Sequence, residues 1–411
     1  MWRPFCIGRA WVTVSRMGAE KSESVSVGKT TAFNRTTVLP RKSRDSSELA
    51  KEHPRYERVR RLGEGGMGEV ALVRDLDIGR RVAVKRLLPG SNSDASVLRF
   101  AEEVRVIGRL EHPAIVPVYD VGVDEEGLHY AVMKYVEGET LEAIIKKLKA
   151  GDAAATKRFT YEYRVQIFLT IVQAVRYAHD QGIIHRDLKP ANIMIGPHGE
   201  VQVLDWGIAK IIDTPVENDG ADERAALGST LPIDDDRLVQ TKAGALIGTP
   251  LYMSPEQARG EDDLDERSDI FSLCLLFFEM LTLEHPLAKK KNVAEVIATL
   301  SDVPFSKTGL GNISRPTGVP CEYVFFLYRG LKFDKAERFQ SLKELEERLL
   351  AVQAGDFPAE CPITLTKRGM VRTRRWIDRN TGTFMLMMLF SLLGALGGLV
   401  FGIVMLVKHL T

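Results

Sequence analysis

The stretch that most restricts the fold of this chain is a long apolar run, FMLMMLFSLLGALGGLVFGIVMLV. It covers residues 384–407, which are 24 residues without a charge. As an α-helix the run would be about 36 Å long, enough to cross a hydrocarbon core of about 30 Å. The alternative, a buried helix of a soluble domain, fits poorly because the run is apolar on every face. We predict one transmembrane helix over 384–407.

The charges around this run predict its orientation. Lys408 follows it, with His409, whereas a basic cluster precedes it. The members of that cluster are Lys367, Arg368, Arg372, Arg374, Arg375 and Arg379. The positive-inside bias places the N-terminal side in the cytoplasm. The pattern therefore predicts a single-pass inner-membrane protein, with a basic juxtamembrane linker over 353–383 and a short extracytoplasmic tail over 408–411.

Small residues recur along one face of the apolar run. Gly394, Gly398 and Gly402 are spaced by four residues, which lets two helices approach closely. This spacing is compatible with a homodimer. Glycine is also frequent in membrane helices in general, so both interpretations stay open.

Overall composition excludes some classes of protein. Lys+Arg 56 against Asp+Glu 55 leaves almost no net charge, which argues against a nucleic-acid partner. Hydrophobic residues make up 45% of the chain, enough for a substantial core. The cysteines, which have no metal-ligand spacing and indicate a reducing compartment, are Cys6, Cys274, Cys321 and Cys361.

The pattern along the chain predicts an α+β protein with two lobes. Residues 1–55 are rich in Ser, Thr, Lys and Arg without periodicity, which predicts a disordered tail. From Tyr56 onward, runs such as EVALVRDL and RVAVKRL predict strands, with one helix over SDASVLRFAEEVRVIGRL. Beyond Thr140 helical patterns dominate. Residues 213–240 are acidic and aperiodic, which predicts a mobile loop.

A glycine-rich turn opens the strand-rich part. LGEGGMGEV places Gly63, Gly65 and Gly68 where the backbone can lie close to phosphate oxygens. A strand follows the turn, which favours a hairpin lid over a nucleotide rather than a dinucleotide fold. In the next strand Lys85 shares a face with the small Ala83, and Glu103 on the following helix can pair with Lys85.

The run HRDLKPANIMIGPHGEVQVLDWG concentrates the chemistry. Asp187 can accept a hydroxyl proton, and Lys189 can neutralise charge on a transferring phosphoryl group. Asn192 and Asp205 offer oxygen ligands, which Mg²⁺ favours. Each residue alone is more often a surface charge or a turn cap. The ordered set predicts a metal–phosphate centre.

Together these motifs resemble a bacterial eukaryotic-like (Hanks-type) serine/threonine protein kinase, from about Tyr56 to Val352. The resemblance implies a bilobal protein kinase fold with an N-lobe and hinge over 56–136 and a C-lobe over 137–352. It also implies ATP and Mg²⁺ as cofactors, with Mn²⁺ possible, and proteins with Ser or Thr hydroxyls as substrates. Lys189 together with Thr249 matches the Ser/Thr-specific pattern.

The resemblance assigns roles to individual residues. The implied ATP site consists of Leu62, Gly63, Gly65, Gly68, Val70, Ala83, Lys85, Glu103, Met133, Lys134 and Val136. Met133 would guard the adenine pocket and 134–136 would form the hinge, where Lys134 replaces the usual Glu. Asp187 would be the base, with Lys189 and Thr249 beside it, and Asn192 and Asp205 would hold Mg²⁺. The implied structural residues are Glu256 paired with Arg338, and Asp269 bracing the catalytic loop.

Two departures from the family pattern concern regulation. Trp206 stands where the family has Phe, and we expect it to stack between His185 and Ile107. It either favours the active arrangement or hinders Asp205. The acidic insert 213–240 lengthens the activation segment, in which Thr241 is the first candidate for phosphorylation and Arg186 would pair with the phosphate. Ser229 and Thr230 are weaker candidates, and the acidic run 234–236 is an alternative that would mimic the phosphate. The alternative function is a pseudokinase or nucleotide-binding scaffold.

Overall fold

The computed structural model describes residues 55–64, 68–89, 93–206, 210–211, 250–288, 294–296, 299, 319–359 and 362–410. Within these ranges the chain forms a β-rich N-lobe, a larger helical C-lobe and two C-terminal helices. The predicted bilobal α+β fold is confirmed. Residues 1–54 of the predicted tail and the acidic insert 213–240 lie outside the described residues.

The N-lobe is built on a five-stranded antiparallel sheet in the order β1-β2-β3-β5-β4. Its strands are β1 (Tyr56–Glu64), β2 (Gly68–Asp75), β3 (Arg80–Leu87), β4 (Val118–Val123) and β5 (His129–Lys134). In β3 the buried Val82 and Val84 belong to one apolar cluster and Leu87 belongs to another. The sheet is therefore packed on both faces.

One helix crosses the N-lobe and faces the strand that carries Lys85. Helix α1 (Asp94–Gly108) is capped at its N-terminus by Ser93, whose side-chain oxygen accepts a hydrogen bond from Ser96 N. Phe100 of α1 is buried in a cluster with Leu87 of β3 and Ala131 of β5. This packing turns the next helical turn, with Glu103, toward β3.

The C-lobe is a helical layer around one large apolar core. Its helices are α2 (Leu141–Lys149), α3 (Ala153–Arg158), α4 (Tyr161–Asp180), α5 (Pro255–Ala258), α6 (Glu266–Thr282), α7 (Cys321–Gly330) and α8 (Leu342–Gln353). Its short strands are β6 (Glu139–Thr140), β7 (Ile183–Ile184), β8 (Ile193–Ile195), β9 (Val201–Val203) and β10 (Lys210–Ile211). Helices α4 and α6 meet at the centre, where Phe168 stacks on Phe277 with ring centroids 4.1 Å apart.

A buried ion pair joins the segment after residue 250 to the loop before α8. Arg338 is 1% exposed, and its guanidinium donates to both oxygens of Glu256 at 2.7 and 2.8 Å. Ser268 also donates to Glu256, at 2.8 Å. Burial disfavours the charged carboxyl group, but these bonds prevail and hold the pKa of Glu256 below its usual value. The sequence-predicted pair therefore forms, fully removed from water.

The C-terminal part consists of helices α9 (Pro362–Arg379) and α10 (Thr381–Leu410). Residues Thr381–Ile403 have a mean hydropathy of 2.3 and are not buried in the protein, so this helix is long and apolar enough to cross a membrane. The sequence predicts a basic linker before it and assigns this linker no secondary structure. The structure gives that region a helix, which Lys367 joins to the C-lobe by an ion pair with Glu322.

Candidate active site

Lys85 and Glu103 come together as predicted from their spacing. The Lys85 ammonium forms an ion pair with the carboxylate of Glu103, which is 5% exposed. Burial raises the pKa of Glu103; Lys85 opposes this rise, and the nearby Asp205 carboxylate adds to it. The Asp205 carboxylate thus lies near that of Glu103, with which the Lys85 ammonium group is paired. The excess negative charge makes this region suited to a cation.

The ends of β1 and β2 flank the glycine-rich turn. Gly63 lies opposite Val70 in the β1–β2 pairing. At Gly68 an added Cβ would lie 2.3 Å from the carbonyl oxygen of Arg86, so only glycine fits between β2 and β3. Leu62 is 36% exposed at the end of β1. Gly65 lies outside the described residues.

The predicted hinge follows β5 directly. Met133 of β5 lies opposite Ala83 of β3, which places the two predicted adenine-facing residues on neighbouring strands. Lys134 N donates to Pro117 O at 3.1 Å. Residues 133–136 are half-buried, between the N-lobe sheet and the C-lobe helices.

Residues 185–192, HRDLKPAN, form the predicted catalytic loop, here called the catalytic loop. They gather their polar groups around one carboxylate. Lys189 Nζ donates to Asp187 Oδ2 at 2.6 Å. Asn192 Nδ2 donates to the same oxygen at 3.1 Å and to the carbonyl of Asp187 at 2.9 Å. Since the amide nitrogen of Asn192 makes these bonds, its oxygen is the atom left for a cation.

A short hairpin brings Asp205 beside Asn192. Strands β8 and β9 pair antiparallel with Ile193 opposite Val203, and Leu204 N donates to Asn192 O at 2.8 Å. Asn192 directly precedes β8, and Asp205 is the second residue after β9, so both lie at the same end of the hairpin. Asp205 has φ 59, a left-handed conformation that costs free energy in a residue with a Cβ.

Asp269 of α6 binds the backbone of the catalytic loop. Its carboxylate accepts hydrogen bonds from the backbone nitrogens of His185 at 2.7 Å and Arg186 at 2.8 Å. It also bonds His179 Nε2 at 2.8 Å. Burial of this carboxylate, which is 1% exposed, acts to raise its pKa. The bonds from His179 and from the loop outweigh that effect and lower the pKa of Asp269.

Trp206 occupies a buried position beside the loop. It is 2% exposed, and its ring lies 4.5 Å from that of His185, between centroids. The ring contact with His185 is the one expected, and Trp206 and Ile107 are both members of the large apolar core. Among the described residues the indole Nε1 has no hydrogen-bond partner. The larger ring fits, at the cost of one unsatisfied donor.

Arg186 is a half-buried cation without a carboxylate partner in the described part of the chain. Its backbone has φ 68, and the side-chain Nε and Nη2 atoms make no hydrogen bond there. Burial lowers the pKa of Arg186, and the Asp269 carboxylate opposes this effect. A desolvated guanidinium of this kind favours the approach of an anion.

Sequence reasoning missed two residues that connect these parts. His179 in α4 bonds Asp269, and its only sequence signal is a polar residue on the apolar face of a helix. Gln257 in α5 donates from Nε2 to the carbonyl of Arg186 at 3.0 Å. Gln257 thereby ties the segment GTPLYMSPEQA to the catalytic loop. Thr241 and Thr249 lie outside the described residues.

The sequence matches the family "Protein kinase domain" over residues 56–349, and the chain belongs to the protein kinase family. It is 35% identical over 309 residues, 73% of this chain, to serine/threonine-protein kinase PknD of Protochlamydia amoebophila. It is 33% identical over 310 residues, 74% of this chain, to PknD of Chlamydia trachomatis. It is 36% identical over 316 residues, 76% of this chain, to serine/threonine-protein kinase PknB of Mycobacterium tuberculosis.

All three relatives are bacterial and carry the name serine/threonine-protein kinase, in agreement with the expected group. The matched segment spans 30%, 32% and 45% of their respective lengths. The likeness is therefore between kinase domains, and the remainder of each relative has no counterpart in the alignment.

The bonds to Asp269 predict a pH-dependent contribution to stability. Because its pKa is lowered in the folded chain, the contribution is present above the unfolded value of about 3.9 and is lost as pH falls through the folded value. Asp269→Asn should lower the free energy of unfolding at pH 7 by about 3–5 kcal/mol. The difference from wild type should shrink below about pH 4.

Denaturation of the detergent-solubilised full chain, followed by tryptophan fluorescence from pH 7 to pH 3.5, measures this effect. Asp262→Asn, at an exposed position, is the matched control and should leave stability unchanged. A loss for Asp269→Asn that stays constant over the whole pH range would contradict the assignment.

Proposed function

We propose that the chain is an active ATP-dependent serine/threonine protein kinase, which transfers the γ-phosphoryl group of ATP to protein hydroxyls. The observation that carries this proposal is the convergence of Lys189 and Asn192 on the carboxylate of Asp187, at 2.6 and 3.1 Å. The Lys85–Glu103 ion pair supports it from the N-lobe. Phosphoryl transfer needs positioned charges more than covalent chemistry from the protein.

In the proposed reaction the substrate hydroxyl oxygen attacks the γ-phosphorus while the bond to the β,γ-bridging oxygen breaks. ADP leaves with that oxygen, and the hydroxyl proton passes to Asp187. Lys189 offers an ammonium group beside this carboxylate, where it can neutralise the transferring phosphoryl oxygens. Lys85 is held by Glu103 in a position to contact the phosphates of ATP.

The donor set fits Mg²⁺. Within the described ranges no group of three or more His, Cys, Asp or Glu side chains is arranged to hold a metal. Mg²⁺ is commonly bound by one or two protein oxygens together with phosphates and water, which the Asn192 amide oxygen and the Asp205 carboxylate can supply. When bound, Mg²⁺ supplies positive charge to the phosphate oxygens. Mn²⁺ accepts the same donors.

A pseudokinase or nucleotide-binding scaffold is the rival function. Such proteins typically lack one of the catalytic residues, whereas Lys85, Asp187, Asn192 and Asp205 are all present. Trp206 leaves His185 hydrogen-bonded to Leu204 O at 3.1 Å, directly before Asp205. The presence of all four residues favours the active kinase.

Catalysis should depend on the two carboxylates. Asp187→Asn should lower phosphorylation of a generic basic protein by about 10²–10⁴-fold, because general-base assistance is lost. Asp205→Asn should cost at least as much, because phosphate charge is left unneutralised. The measurement uses full-length protein, labelled ATP and Mg²⁺, with Asp262→Asn as the exposed control. Wild-type rates in either site variant would contradict the roles of the two carboxylates, and ATP binding without phosphorylation by the wild-type protein would favour the scaffold.

We further propose that phosphorylation of Thr241 activates the enzyme through Arg186. The half-buried guanidinium has free donors in the described part of the chain, and a phosphothreonine carries about −1.5 to −2 charge. Pairing of the two would order the activation segment against the catalytic loop.

Thr241→Ala should therefore lower activity roughly tenfold or more, the factor that corresponds to a charged hydrogen bond of about 1.5 kcal/mol. Arg186→Met should have the same effect, and the double variant should lose no more than either single variant. Asp262→Asn, outside the activation segment, is the control. Additive losses, or full activity of protein that mass mapping finds unmodified at Thr241, would refute the switch.

We also propose that α10 anchors the protein in the inner membrane with the kinase domain in the cytoplasm. The apolar stretch Thr381–Ile403 and the basic cluster before it support this orientation. The face formed by Gly394, Gly398 and Gly402, where an added Cβ would meet no atom within 4 Å among the described residues, remains a candidate for homodimer contact.

The topology predicts protection from external protease. Protease added to intact spheroplasts should leave the kinase domain whole, because the inner membrane separates the two. Permeabilised spheroplasts are the control and should lose the domain at the same protease concentration. Digestion of the domain in intact spheroplasts would indicate the opposite orientation, with the kinase domain outside the cytoplasm.

A further inference from the structure

The N-terminal half of α9 is fixed to the C-lobe. Lys367 Nζ lies 3.1 Å from both carboxylate oxygens of Glu322 in α7. Thr364 is buried, and Val371 packs so close to Gly355 that a Cβ on the glycine would lie 2.7 Å from Val371 Cγ1. This half of α9 therefore keeps a defined position on the kinase domain.

The C-terminal half of α9 extends past these contacts and has a cationic face, here called the arginine face. Its members are spaced i, i+3, i+4 and i+7, which places them on one side of the helix. They are Arg372, Arg375, Trp376 and Arg379, which line one shallow recess. All four are exposed, and among the described residues no carboxylate forms an ion pair with any of the three arginines.

The arginine face directly precedes the apolar stretch of α10. Asn380 N donates to Trp376 O at 2.9 Å and Phe384 N donates to Asn380 O at 3.0 Å, which links the two helices. At 1.5 Å per residue, Arg379, Arg375 and Arg372 lie about 3, 9 and 14 Å from Thr381 along the axis. The headgroup layer extends about 5–8 Å beyond the hydrocarbon core, and long arginine side chains add to this reach.

We propose that the arginine face binds the headgroups of anionic phospholipids and thereby holds the C-lobe at the membrane surface. The proposal rests on the membrane anchoring proposed for α10. Guanidinium groups donate two parallel hydrogen bonds to phosphate, and tryptophan is favoured at the membrane interface. Because Lys367 and Thr364 attach the other half of α9 to the C-lobe, a lipid held by this face also restrains the kinase domain.

Quenching of Trp376 by brominated lipids tests the proposal. The full-length protein with Trp2→Phe and Trp11→Phe is incorporated into phosphatidylcholine nanodiscs that contain rising fractions of brominated phosphatidylglycerol. Matched discs contain brominated phosphatidylcholine instead. At each fraction, brominated phosphatidylglycerol should quench the fluorescence of Trp376 more strongly than brominated phosphatidylcholine. Trp376→Phe should remove the quenching, since Trp206 is buried in the kinase domain.

Neighbouring arginines supply a matched pair of variants. Arg375 belongs to the arginine face, whereas Arg374 is equally exposed but lies off that face. Arg375→Gln should raise the anionic-lipid fraction for half-maximal quenching about fivefold, the factor expected for one cation at the surface. Arg374→Gln should leave this fraction close to wild type. The triple variant R372Q/R375Q/R379Q should quench equally with both lipids.

Equal quenching by the two lipids in the wild-type protein would overturn the proposal. Equal effects of Arg374→Gln and Arg375→Gln would also overturn it, because they would indicate a diffuse charge effect. Failure of the wild-type chain to enter nanodiscs or to float with vesicles would overturn the proposed anchor, and the lipid contact with it.

Discussion

The catalytic loop depends on a carboxylate that never meets solvent. Asp269 accepts hydrogen bonds from the backbone of His185 and Arg186, at 2.7 and 2.8 Å, and is bonded in turn by His179. Arg186 adopts a left-handed backbone with φ 68, which a residue with a Cβ adopts only when its surroundings compensate. The bonds to Asp269 supply that compensation. The position of Asp187, the next residue, follows from them.

Helix α6 can hold Asp269 in place because its packing is apolar almost throughout. Thirteen of its side chains are buried, among them Phe271 and Phe277 in the centre of the C-lobe. Its N-terminal turn carries Asp269 and Ser268, and Ser268 donates to Glu256 of the buried Glu256–Arg338 pair. The catalytic loop and the segment after residue 250 are thus both held in position by helix α6. Gln257 joins them directly through the carbonyl of Arg186.

Among the described residues, the N-lobe contributes to the proposed site through the Lys85–Glu103 ion pair rather than through a hydrogen-bond network. Lys85 on β3 meets Glu103 on α1, and the position of α1 depends on the packing of Phe100 against the sheet. Burial raises the pKa of Glu103, so the charged pair is maintained against a desolvation cost. Cations from Lys85 and from a bound metal would offset that cost. The proposed nucleotide site is therefore also the place where the two lobes are coupled electrostatically.

The sequence by itself determined the order of the strands and helices, the family, and the candidate residues, because periodicity and short motifs are local. It also predicted the pair Lys85–Glu103 from the spacing of the two residues, and the pair Glu256–Arg338 through the family pattern. Only the tertiary structure decided that His179 bonds Asp269, that Gln257 reaches Arg186, and that Lys367 is paired with Glu322 while Arg375 is free of carboxylates in the described chain. These partners are separated by 45–90 residues. Whether two such side chains meet depends on how the helices pack, which no local pattern in the chain encodes.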